Sequence, residues 1–486
     1  MFSYFEYIFL FLPPVLAVYF LLNHRGFTRA GQIFLLAASL IFYGLWNLMY
    51  LPLLLLSIVA NFGFGRGLSN PAGILLKVPK KVIVAAGICF NVGLLGYFKY
   101  SDFFIQNLNM AFGSSINLMK IAAPLGISYC TFLQVAFLVD TYRGKLGENK
   151  FLPYALFVSF FPKVSQGPIA LQWEIVPQFL DAARARFNPE NFARGMFLVA
   201  MGLFKKMVLA DNLGVWATRG FDNAPVLPLF EAWFATLAFS FQIYFDFCGY
   251  TDIAIGAGLL FNIRVPDNFL SPYKSLNYQE LWRRWHITLG RFLREYIYIP
   301  LGGNRKGEIR TYLNLVLTFV IGGLWHGPTW NYVLWGALND IGLMIHRIWG
   351  KTGLRMHWLL AWSLTFMYWN FTVIMWRATS IKDAVKVLRG VVGLDGVVMP
   401  AVMAELTFLE HLGVKFGPWL ANLGGLNYYY IFLIIASAVA IFGAKNSIEL
   451  SDRLKPNMRW ALFTALLFGI SIIHLTQVSQ FIYANF

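Results

Sequence analysis

The sequence predicts an all-α polytopic membrane protein, and three observations carry that prediction. Apolar residues fill 58% of the 486 positions and charged residues 13%, against about 25% charged in a soluble domain. Apolar runs recur from end to end, many of them close to the ~20 residues a helix needs to cross a bilayer. The basic excess, a net charge of +16, is divided among short loops between those runs. That is how cytosolic loops of membrane proteins are charged, and it argues against a nucleic-acid-binding face.

Taken in order, the candidate spans are 8–22, 31–45, 48–64, 82–98, 121–139, 311–339, 358–376, 427–443 and 460–482. Further crossings between 151 and 261 are interrupted by polar residues and harder to delimit. The expectation is about ten to twelve passes. All must be helical, because unpaired backbone groups are too costly in lipid. Met1-Phe2-Ser3-Tyr4-Phe5-Glu6 has no basic stretch, and no small-residue cleavage site follows 8–22. The first run therefore reads as a span rather than a signal peptide.

Orientation comes from the loops. His24, Arg25 and Arg29 follow the first run; Arg66, Lys77, Lys80 and Lys81 follow the third. Arg143, Lys145 and Lys150 follow 121–139, and Lys445, Arg453, Lys455 and Arg459 precede the last run. Placing them in the cytosol puts the N-terminus outside. Cys89, Cys130 and Cys248 are scattered through apolar segments. They make neither a disulfide framework nor a metal site, and read as small buried residues.

There is no internal repeat and no soluble module, so residues 1–486 read as one integral membrane domain. Within it, 120–350 is crowded with Gly, Pro, Trp, Tyr and polar residues. Broken apolar helices of that kind are tolerated only where protein or a cavity surrounds the backbone. This region is expected to hold the catalytic core, with the ends as scaffold. Residues 280–298 read as one amphipathic helix, with Leu281, Trp285, Leu289, Phe292 and Tyr296 on one stripe. Arg283, Arg284, Arg291 and Arg294 lie across the other side, as in a basic helix at the cytosolic interface.

Between Arg310 and Asp340 there is no charged residue, and the ionisable group near the middle is His326, in Gly322-Gly323-Leu324-Trp325-His326-Gly327-Pro328. Such a group deep in an apolar segment is a functional hypothesis by default. The glycines remove bulk around it, and Pro328 breaks the helix. Together they are expected to open a cavity beside an imidazole suited to moving protons. His286 gains weight by pairing with it. His346, His357, His411 and His474 read as structural, and no cluster has metal-ligand spacing. Asp246 and Tyr250, i and i+4 in 240–256, are buried polar groups. They either pair with cations, for which the Arg-rich 280–298 helix is the obvious source, or line a substrate path.

Four blocks carry a resemblance: PLGISYCTF (124–132), YFDFCGYTDIAIG (244–256), ELWRRWHITLGRFLREYIYIPLGGNR (280–305) and GGLWHGPTWNYVLWG (322–336). Together they resemble the membrane-bound O-acyltransferase family, and within it the bacterial branch that O-acetylates alginate. The closing Phe481-Ile482-Tyr483-Ala484-Asn485-Phe486 resembles that branch too. The resemblance implies a ring of helices with re-entrant segments around a tunnel, His326 as the catalytic histidine and His286 as its upstream partner. Cys248 stands where Ser is usual, Gly290-Arg291 where a Ser is typical, Glu295 for Asp, and Asn339 where relatives often have His.

The implied activity is transfer of an acetyl group from a cytosolic thioester, such as acetyl-coenzyme A, to a hydroxyl of an exported polysaccharide. It implies a bacterial inner membrane, an outer-face acetyltransferase partner and no permanently bound cofactor. Trp325, Gly322, Gly323, Asp246, Tyr250, Trp282 and Trp285 are candidates to line the substrate path. Arg283, Arg284, Arg291 and Arg294 are candidates to attract the donor. Two rivals are D-alanine transfer to teichoic acid, within the same family, and a transporter without covalent chemistry. The second would be expected to show repeated halves with paired broken helices.

Overall fold

The computed structural model describes residues 4–69, 77–147, 150–164 and 167–475. The closing motif at 481–486, the end of the 460–482 run and much of the 67–81 loop lie outside the described residues. The described residues are predominantly helical. Among the described residues the strands are Val397–Pro400 and Val414–Gly417, paired in parallel.

Among the described residues, five helices are long and apolar enough to cross a membrane: Glu6–His24, Thr28–Trp46, Leu48–Ser69, Lys80–Phe112 and Trp358–Arg377. Tyr428–Gly443 and Met458–His474 are shorter apolar helices. The expected 82–98 run continues through a π-helical turn at Gly96–Tyr100 as far as Phe112. Asn caps mark helix starts at Asn188, Asn277, Asn427, Asn446 and Asn457, each accepting from a backbone N–H of the first turn. Between Leu48–Ser69 and the next helix, Asn61 and Asn91 exchange amide hydrogen bonds of 3.1 and 2.6 Å. In an apolar setting such a pair fixes register.

The middle of the fold is the 32-residue helix Leu229–Leu260, buried along most of its length. It packs on Pro189–Leu203 through a seam of glycines. Gly202 faces the carbonyl of Gly249, while Gly195 and Gly256 face each other's carbonyls. A Cβ at any of these would collide with backbone, so the small residues set how closely the helices approach.

Two expectations are corrected. The 280–298 segment is not one helix. It runs as Tyr278–Arg284, breaks at Trp285-His286, then resumes as Ile287–Leu293 with a π-helical turn at Arg294–Tyr298. The predicted stripe is nevertheless buried throughout. The break lets the stripe serve two cores: Leu281 and Trp285 join the one built on Leu229–Leu260 and Trp358–Arg377. Leu289, Phe292, Leu293 and Tyr296 join the one built on the N-terminal helices.

Nor is 311–339 one span. Helices Glu308–His326 and Trp330–Thr352 form an antiparallel hairpin. Gly323 lies against the carbonyl of Tyr332, and Gly336 against that of Phe319. Pro328 ends the first helix as expected, and the chain reverses there. A smaller correction concerns Cys89, which is exposed on its helix while Cys130 and Cys248 are buried.

Candidate active site

His326 is the last residue of the Glu308–His326 helix and is 2% exposed. Aromatic rings enclose it. Trp325 and Trp335 meet it edge-on at 4.7 and 4.8 Å between centroids. Tyr332 lies roughly parallel at 6.2 Å, and Trp376 closes a further side at 6.0 Å. Trp325 belongs to the N-terminal core and Trp335 to the other, so His326 sits where the two cores meet. His286 stands across Trp325, 5.6 Å from its ring. The two predicted histidines thus flank one indole.

The helix ending at His326 has carbonyls that its own backbone cannot satisfy. The usual partner of Leu324 would be residue 328, a proline with no N–H, and its carbonyl takes the Gly327 N–H at 3.1 Å instead. The partner of Trp325 would be Thr329, whose N–H turns back to Gly327. Side chains from the Gly96–Tyr100 turn supply a donor to Trp325 and a second one to Leu324. Lys99 Nζ donates to the Trp325 carbonyl at 2.6 Å and to Ser128 Oγ at 3.0 Å. The Tyr100 hydroxyl donates to the Leu324 carbonyl at 2.5 Å. An ammonium at a helix C-terminus also complements the helix dipole. Lys99 and Tyr100 therefore hold the peptide that carries His326.

His286 adopts φ +43°, a left-handed conformation uncommon outside glycine. Backbone pairing on both sides enforces it: Leu270 N–H donates to Arg284, and Ile287 N–H to Asn268. Its ring is held edge-on by Phe247 at 4.7 Å and flanked by Phe269 at 6.4 Å. Its Nδ1 lies 3.0 Å from Asn268 Oδ1.

The remaining predicted residues divide. Trp282 contacts Trp335 at 5.9 Å, one ring removed from His326. Trp285 packs instead on Trp369 at 4.7 Å and Tyr273 at 6.0 Å, inside the core. Gly322, Gly323 and Gly327 do not open a cavity. Leu293 fills the space beside Gly322, the Tyr332 backbone that beside Gly323, and the Tyr332 ring that beside Gly327. These glycines permit close packing.

Asp246 is not paired with the Arg-rich segment. Lys206 Nζ reaches Asp246 at 2.5 Å and Asp211 at 2.8 Å. Its neighbour Lys205 donates to Asp252 at 2.7 Å and Ser447 at 2.9 Å. Tyr250, on the same helix as Asp246, is half-buried.

Among the arginines, Arg291 forms a bidentate pair with Glu174 at 2.6 and 2.8 Å. Arg284 pairs with Glu280 at 2.7 Å. Both tie this segment to itself and to its neighbours. Arg283 and Arg294 are exposed. His474 Nδ1 lies 3.0 Å from the Ile470 carbonyl of its own helix, and His357 caps a helix start.

The chain belongs to the membrane-bound O-acyltransferase family, whose profile matches residues 88–382. It is an enzyme, an O-acyltransferase, which sets the transporter reading aside. It is similar over nearly its whole length to the peptidoglycan O-acetyltransferase of Helicobacter pylori, 40% identical over 515 aligned positions, covering 99% of this chain and 96% of that protein. The probable alginate O-acetylase of Pseudomonas putida is 36% identical over 387 positions, 78% of each chain. The teichoic acid D-alanyltransferase of Bacillus subtilis is more distant, 26% identical over 247 positions, 48% of this chain and 62% of that one.

Proposed function

We propose that this enzyme moves an acetyl group from a cytosolic thioester, such as acetyl-coenzyme A, to a hydroxyl on its way to an exported glycan. The observation that carries the reading is His326, enclosed by Trp325, Tyr332, Trp335 and Trp376, with His286 across Trp325. His326 acts as the base. The acceptor oxygen attacks the thioester carbonyl carbon while His326 takes the hydroxyl proton. The carbon–sulfur bond then breaks, and the leaving thiolate receives that proton from the imidazolium. The buried setting excludes water, which would otherwise consume the thioester.

The glycan we favour is peptidoglycan rather than alginate, because the likeness to the peptidoglycan enzyme runs from end to end. The likeness to the alginate enzyme covers 78% of this chain. The chain sits in a bacterial inner membrane with its N-terminus outside, and an outer-face acetyltransferase partner completes delivery. Arg283 and Arg294 are exposed, and their charge would attract the donor's phosphates.

The test is thioester cleavage by purified protein in detergent, with acetyl-coenzyme A binding measured alongside and the outer-face partner supplied. Cleavage that His326→Ala abolishes supports the reading. Absence of any thioester binding or cleavage with the partner present overturns it. Acetylation of alginate oligomers but not of glycan strands from cell wall would overturn the choice of glycan.

A further inference from the structure

The hydrogen bonds behind His286 run in one direction. Ile169 N–H donates to Thr288 Oγ1 at 2.9 Å. The Thr288 hydroxyl then donates to Asn268 Oδ1 at 2.9 Å, and the Thr288 backbone N–H donates to the same atom at 3.2 Å. A backbone N–H can only donate, so the Asn268 atom facing it is the carbonyl oxygen. That oxygen can only accept. His286 Nδ1, 3.0 Å from it, must therefore carry a hydrogen. In neutral imidazole the other nitrogen then has the lone pair. Among the described residues, His286 Nε2 is buried and makes no hydrogen bond. A buried acceptor left without a donor costs about 1–3 kcal/mol, and it is what a site awaiting a donor group looks like.

We infer that Asn268 is a positioning residue that locks His286 with Nδ1 protonated, leaving Nε2 to accept an O–H or N–H from the bound substrate. This rests on the reading of His286 as part of the reaction site. It goes beyond that reading by fixing the direction of the hydrogen bond. Neutral His286 does not donate to a developing oxyanion through Nε2; it receives. The reacting hydroxyl gives its one proton to His326, so the partner is either a neighbouring, non-reacting hydroxyl of the acceptor or an amide N–H of the thioester's carrier arm. Asn268, Thr288 and Ile169 come from three separate stretches of chain, all buried, so the lock is built by the fold.

The groups that face His286 from neighbouring elements are few. His326 and Lys99 lie around Trp325. Asp246 and Asp252, on the helix that carries Phe247, are engaged by Lys206 and Lys205.

The experiment compares Asn268→Leu with Asn268→Asp by the pH dependence of kcat and KM for thioester cleavage, after size exclusion has shown folded protein. The Asp variant keeps an acceptor for Nδ1–H but adds negative charge, which stabilises the imidazolium. Its acid limb is expected to move up by about one pH unit or more, with activity retained near neutral pH. The Leu variant keeps the shape and removes the acceptor. It is expected to lose about 100-fold. The loss falls in kcat if Nε2 orients the acceptor through a neighbouring hydroxyl, and in KM if it receives a carrier amide. If Leu does not fold, the displaced limb of Asp decides alone. Wild-type kinetics in the Leu variant, or an Asp variant whose limb does not move, overturns the lock. A wild type that cleaves no thioester overturns the acyl-transfer reading itself.

Discussion

Replacing Lys99 with Met keeps the length and the apolar stem of a 9% exposed side chain and removes its ammonium. Two hydrogen bonds disappear, to the Trp325 carbonyl at 2.6 Å and to Ser128 Oγ at 3.0 Å. A buried carbonyl left without a donor costs about 1–3 kcal/mol. The helix end also loses its positive complement, worth about 0.3–1 kcal/mol and up to about 2 when partly buried. The sum is on the order of 3 kcal/mol, and it is concentrated on the peptide that aims His326. A shift of about 1 Å in a catalytic group can cost about 10²-fold. Lys99→Met is therefore expected to lower kcat about 100-fold, with KM little changed and the protein still monodisperse in detergent. Tyr100→Phe removes one neutral bond, worth about 0.5–1.5 kcal/mol, and is expected to cost about tenfold or less. The assay is thioester consumption, with transferred acetyl counted by mass spectrometry. A folded Lys99→Met enzyme with wild-type kcat would refute the claim that this clamp aims the histidine.

Three further outcomes follow from the same structure. Asp246→Leu strips a buried ammonium of one of its carboxylates and should destabilise the fold by about 3–5 kcal/mol; thermal unfolding should show the double variant with Lys206→Met recovering much of that, and an unaltered single variant would contradict the pairing. Gly323→Val drives a side chain into the Tyr332 backbone and should abolish folded, active protein, whereas Gly350→Ala, with open space around it, should be silent in the same yield and activity measurements. Cysteines placed at Lys80 and Arg453 should resist membrane-impermeant thiol reagents in intact cells, and ready labelling there would reverse the orientation and the donor side.

Much of this was legible in the sequence, and the failures have physical causes. The five long apolar helices follow from run length alone. His326 stands out because no charged residue lies between Arg310 and Asp340 and it is the one histidine there. Lys99 gave the same signal, a lone cation in an apolar stretch, but was hidden because the 82–98 run was ended just before it. The break at His286 left no mark, since neither Gly nor Pro occupies Trp285 or His286. Pairing with Asn268–Leu270 imposes it, and that contact is invisible in local spacing. In 311–339 the proline announced the break, while the reversal depends on Gly323 and Gly336 meeting backbone across the hairpin. For Asp246 the sequence leaves ion pairing and a substrate path both open, with the arginine-rich segment as the obvious cation; Lys205 and Lys206, two charges in an apolar helix, are the partners the fold brings to it and to Asp252.

The most direct measurement is a single-turnover reaction of His326→Gln with acetyl-coenzyme A and acceptor, in vesicles that hold as much folded protein as wild type. Glutamine retains hydrogen bonding in the ring of Trp325, Tyr332, Trp335 and Trp376 but cannot take a proton. Loss of acetyl transfer by about 10²-fold or more, with the thioester still bound, is the expected result. Transfer by His326→Gln at a rate near wild type would contradict the account.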